Sequence, residues 1–172
     1  MNQKARYLAH AAIIAALYVV LTYLASMLGL ASSAIQVRFS EALTILPFFT
    51  SAAIPGLFVG CLLANLLTGS MPLDILFGSI ATLLGAVGTY LLSRSMKSGT
   101  RPWQKWLTPL PPIIANTLIV PFVLAYVYQL EGTIPYFMLT VGIGEVISCG
   151  VLGMMLLKVL ERYRLYLFPE RS

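Results

Sequence analysis

PFFTSAAIPG (residues 47–56) lies inside a run of 32 residues, Ala42 to Leu73, that carries no formal charge. Such a run is long enough for one membrane helix, since about 20 apolar residues cross a hydrocarbon layer. Two prolines and a glycine argue against one unbroken rod, because proline lacks the backbone donor and its ring clashes with the preceding turn. The fold therefore turns on whether residues 39–69 cross a bilayer once, or twice with a hinge near Pro55 and Gly56.

The 172 residues are 59% hydrophobic and 10% charged, far more apolar than a soluble core needs, so residues 1–172 read as a single membrane domain. Eleven Lys and Arg against six Asp and Glu give a net charge of +5, which in a soluble chain would suggest nucleic acid. Here the basic residues stand at the ends of apolar segments, where they set topology. Cys61 and Cys149 sit within apolar segments and read as small packing residues. The first apolar stretch, 7–30, exceeds the roughly 7–15 residues of a signal-peptide core and reads as a true span. No glycine-rich nucleotide motif is present in the sequence, so the expected energy source lies outside this chain.

Lys4 and Arg6 precede the first span, Arg94, Lys97, Arg101 and Lys105 share one connection, and Lys158, Arg162, Arg164 and Arg171 follow the last. Positive residues favour the cytoplasmic side. All three groups reach that side only if 39–69 crosses twice, which turns ten of the eleven basic residues inward. The expectation is an all-α protein with six spans, 7–30, 39–53, 55–69, 73–93, 109–129 and 135–160, both termini cytoplasmic and the second and third spans a short hairpin. Those two are short for a span and must tilt or be sheltered by neighbours. Gln36, Arg38, Glu41, Asp74 and Glu131 then fall on the outer side.

Glu145, ten residues into the last span, is the most informative position. An ionisable group at mid-membrane depth is costly and by default functional, the alternative being a protonated carboxyl bonded to a neighbouring helix. Gly142, Cys149 and Gly153 share its helical face and leave room for a flat molecule. Asn116 and Asn65 are membrane amides that require partners. Gly78, Thr82, Gly85 and Thr89 form a small, weakly polar face that suits close packing and a pocket equally. Arg38 and Glu41, three apart, pair on a first helical turn or belong, with Gln36, to the rim of an outward pocket. Tyr126 belongs to an outer aromatic belt or stacks on a ligand. Ala5, Ala9, Ala12 and Ala16, with Ala11 and Ala15 beside them, make a smooth strip on the first helix that serves internal packing or docking of another membrane protein. With His10 the single histidine, neither a histidine metal site nor a serine triad is supported.

IQVRFSEALTILPFFTSAAIPGLFVGCLLANLLTG (residues 35–69), with LDILFGSIATLLGA and GIGEVISCG, resembles the QueT family of queuosine precursor transporters. The likeness runs through nearly the whole chain and thins between Arg94 and Lys105; Ser51 stands where the family often has proline, a departure at a hinge. The resemblance implies the substrate-binding S component of an energy-coupling factor transporter in the bacterial cytoplasmic membrane. It implies that the alanine strip docks on a transmembrane coupling subunit joined to two ATPases, which use the ATP, with no cofactor or metal in this chain. The implied cargo is a 7-deazaguanine such as preQ1 or preQ0, held from outside between the first loop and the last three spans. A carboxylate accepts two parallel N–H donors, so Glu145 suits the base edge, Asn116 a carbonyl or ring nitrogen, and Glu41 or Asp74 an aminomethyl ammonium. Tyr126 or Phe77 is then the stacking surface. A self-sufficient secondary transporter and a non-transporting scaffold are the competing readings.

Overall fold

The computed structural model describes residues 2–30, 36–96, 102–163 and 167, and these are helical with no strand among them. Helix α1 spans Gln3–Met27, a 3-10 helix spans Phe39–Phe48, α2 spans Ala53–Leu67 and α3 spans Pro72–Ser95. A short 3-10 turn, Pro102–Leu107, leads into α4, Leu110–Tyr126. Helix α5, Ile134–Glu145, continues through a π-helical segment, Val146–Leu152, into α6, Gly153–Arg162. Among the described residues four helices are long and apolar enough to cross a membrane: α1, α3, Trp103–Tyr126 and the continuous rod Ile134–Arg162. With the shorter apolar helices Phe39–Phe48 and Ala53–Leu67 they make six, the number the charge pattern requires. Lys97, Arg101, Arg164 and Arg171 lie outside the described residues.

Local chemistry sets the boundaries. Proline occupies the first turn of α3, α4 and α5, where a missing N–H has no intrahelical partner to lose. Gly29 and Gly69, with φ of +72° and +75°, follow α1 and α2, where a left-handed residue closes a helix at little steric cost.

The decisive stretch breaks earlier than the proline and glycine spacing suggests. The non-helical residues are 49–52, and Pro55 and Gly56 belong to the first turn of α2. Pro47 instead sits inside the 3-10 helix. At about 2.0 Å rise per residue, ten residues in this form reach about 20 Å, against about 15 Å as an α-helix. Every residue from Ser40 to Pro47 is buried. Leu43 and Leu46 pack with Ile14 and Tyr18 of α1 and Leu57 of α2, while Ile45 packs with Phe49 and with Met154 and Leu157 of α6. The short segment is thus encased by longer helices.

Small residues permit that encasement. A Cβ added at Gly56 would lie 2.7 Å from the Ala11 carbonyl oxygen, and one at Gly60 would lie 2.8 Å from Tyr18 Cβ. Helix α2 therefore rests directly on the α1 face that carries Ala11, Ala15 and Tyr18. Ala5, Ala9, Ala12 and Ala16 stay exposed, so the small residues of α1 divide between two faces. Gly85 and Gly88 likewise admit Pro112 and Pro111 of α4, each 2.6 Å from an added Cβ. Val120 and Leu124 of α4 complete the core against Phe137 and Val141 of α5. Two contacts tie the chain near its ends: Tyr7 OH donates to the Ser51 carbonyl at 3.4 Å, and Lys105 Nζ pairs with Glu161 at 2.5 Å.

Candidate functional site

The 3-10 helix carries one charged side chain into the core, Glu41, and the surrounding helices supply its partners. Tyr18 OH of α1 donates to Oε1, and Asn116 Nδ2 of α4 donates to Oε2 at 3.3 Å. Thr44 Oγ1 donates to the Glu41 carbonyl at 2.6 Å. Glu145 closes the group from the last rod, its Oε2 accepting from the Cys149 thiol at 3.1 Å; the same sulfur lies 3.4 Å from the Glu41 carbonyl oxygen. Cys149 belongs to the π-helical segment, a winding that recurs at functional sites. Its neighbour Ser148 accepts a hydrogen bond from the Arg38 backbone N–H at 3.1 Å. Glu41, Glu145 and Cys149 each offer one ligand atom within 4.8 Å of the others, so these three are the residues suited to a small cation.

Two cavities meet at the start of the 3-10 helix. The narrow one, about 10 Å³, is lined by Glu41, Thr82, Asn116 and Glu145 together with Gln36 and Arg38. That space suffices for about one water molecule. The wide one, about 350 Å³, has Asn65, Ser70, Asp74 and Tyr128 on its walls and shares Gln36 and Arg38 with the first. Asp74 Oδ2 accepts from Tyr128 OH at 2.7 Å, and that phenol accepts from Met71 N–H at 3.3 Å. A larger groove, about 700 Å³, runs beside Gln3, Lys4, Tyr7 and Leu8, but all four are exposed and bring no buried polar group.

Six of the eight ligand-site residues expected from sequence therefore line these adjoining cavities: Glu41, Asn116 and Glu145 the narrow one, Asp74 the wide one, and Gln36 with Arg38 both. Tyr126 and Phe77 are placed elsewhere. Tyr126 is 70% exposed and stacks on Phe122 at 6.4 Å between centroids, and Phe77 is 42% exposed. Helical phase explains both: at about 100° per residue, Tyr126 is well off the Asn116 and Val120 face, and Phe77 points a step away from Gly78. Residues absent from the expected site are Tyr18, Ser148 and Tyr128. Tyr18 has no polar neighbours in the sequence to distinguish it from an apolar aromatic, although a buried phenol needs a partner.

Six apolar helices around a buried polar cluster define a multi-pass membrane protein. Residues 8–162 match the model of a family described as QueT transporter, and the chain belongs to that family. The queuosine precursor transporter QueT of Lactococcus lactis subsp. cremoris (strain MG1363) is 34% identical over 84 residues, 48% of this chain and 49% of the relative. The match thus spans about half the length of that relative. No solved structure matches the chain.

Proposed function

We propose that this chain is the substrate-binding membrane subunit of an ATP-driven energy-coupling factor importer, and that it carries a queuosine precursor, a 7-deazaguanine such as preQ1 or preQ0. The observation that carries this reading is the meeting of Glu41, Glu145 and Asn116 at one buried cavity with Gln36 and Arg38 at its mouth. Carboxylates accept the adjacent N–H donors of a guanine-like edge, and an amide serves a carbonyl or ring nitrogen. The narrow cavity is closed to a molecule of that size, so binding requires the Gln36–Arg38 segment to move. The outward side is then the one bearing Asp74 and the wide cavity, with both termini in the bacterial cytoplasm and 39–53 and 55–69 as a hairpin. The Tyr7–Ser51 and Lys105–Glu161 contacts are consistent with that threading.

Ala5, Ala9, Ala12 and Ala16 form the docking face for the transmembrane coupling subunit, an assignment supported by their exposure and by the close approach that small residues allow between membrane helices. Ala11 and Ala15 flank this strip but are turned toward α2. The test is twofold. Mass spectrometry of the detergent-purified chain should find a co-purifying deazaguanine, and reconstituted uptake should need ATP and the partner subunits. Uptake driven by an ion gradient without partners would assign the chain to self-sufficient secondary transporters instead.

A further inference from the structure

Three carboxyl groups are buried around the two cavities: Glu41 at 2% exposure, Asp74 at 5% and Glu145 at 8%. One cation, Arg38, lines both cavities, sharing the wide one with Asp74 and the narrow one with Glu41 and Glu145. Arginine therefore stands on the partition between an outer acid and an inner acid pair. Of these two cavities the wide one, about 350 Å³, has room for a bicyclic base in this conformation, and its buried carboxylate is fixed by the Tyr128 phenol.

We propose that the wide cavity is a capture site, separate from the inner pocket, where Asp74 takes the cationic substituent of an arriving heterocycle in place of Arg38. A cation at Asp74 offsets the attraction of that carboxylate for the guanidinium that shares its cavity. Arg38 then turns toward Glu41 and Glu145, the partition loosens, and the ring passes inward. Asp74 acts on the rate of loading, whereas the inner acids set how long the ligand stays. Tyr128 is a positioning residue that keeps the carboxylate aimed into the cavity. This inference rests on the proposed function and adds an order of events to it.

The test uses the full chain in nanodiscs and stopped-flow binding of two probes, cationic 7-aminomethyl-7-deazaguanine and neutral 7-cyano-7-deazaguanine. For the unaltered protein, association of the aminomethyl probe should slow as salt rises while the cyano probe stays constant, because salt screens steering between charges. Asp74→Asn should reduce the aminomethyl association rate about tenfold, the lower end of steering effects, with its dissociation rate and the cyano probe unchanged. Tyr128→Phe, which keeps the carboxylate, should give a smaller change of the same kind. Equal slowing of both probes, an effect confined to dissociation, or salt-independent capture of the aminomethyl probe by the unaltered protein would overturn the capture site and leave the function standing. Failure of the unaltered protein to bind either probe would overturn the functional reading, and the capture site with it.

Discussion

Tyr18 and Glu41 are joined by a hydrogen bond from the phenol to Oε1 that crosses from α1 to the 3-10 helix. The carboxylate of the candidate pocket is thus held by the helix whose other face presents exposed alanines.

Tyr18→Phe should keep the shape of the core and leave Glu41 with one partner fewer. Removing a partner from a buried polar group costs about 1–3 kcal/mol. The expected outcome is a lower midpoint of thermal unfolding together with weaker ligand binding, read by circular dichroism and calorimetry on the same preparation.

Glu145→Gln should weaken binding of the aminomethyl deazaguanine by about 1.5–3 kcal/mol, the range for a hydrogen bond to a charged group. Titration calorimetry measures it. Full affinity in a well-folded variant would remove Glu145 from the base edge.

Ala12→Leu should preserve folding and ligand binding, because Ala12 is exposed, and should abolish the proposed ATP-driven uptake by blocking the proposed docking face. Gly60→Ala makes the contrast. Its methyl would meet Tyr18 Cβ at 2.8 Å and Ala15 Cα at 3.0 Å, and overpacking of this kind costs about 1–3 kcal/mol. Its unfolding midpoint should fall even without any partner subunit.

Sidedness is open to thiol labelling, since the native thiols Cys61 and Cys149 are both buried and should give little background. In intact cells an impermeant maleimide should modify Glu131→Cys and spare Lys4→Cys. Labelling of Lys4→Cys would reverse the proposed orientation.

The segment count and the gathering of Glu41, Asn116, Glu145 and Asp74 at two cavities were legible in the sequence for related reasons. Charges are costly inside a bilayer, so their positions mark the ends of spans, and the few left within or beside spans, such as Glu145, Asp74 and Glu41, gather where they can be satisfied. The 3-10 form of Phe39–Phe48 was not legible, because a segment apolar on every side shows no period by which to tell one winding from another. The break at 49–52 was obscured by Pro55 and Gly56, whose chemistry fits a helix start as well as a hinge. Gly56 and Gly60 are one turn apart, yet that spacing acquires meaning only once Ala11 and Ala15 are known to lie opposite. The π-helical segment had no signal at all, as VISCGVL contains nothing that forbids ordinary winding.

That π-helical segment phases the two halves of the last rod. Upstream, Glu145 lines the narrow cavity with Glu41; downstream, Met154 and Leu157 anchor against Ile45 and Phe49. Rewinding Val146–Leu152 at 3.6 residues per turn with no residue removed would swivel one half against the other by about 100°. Either the carboxylate or the anchor would then leave its seat, so the winding of this stretch is fixed even where its side chains are exchangeable.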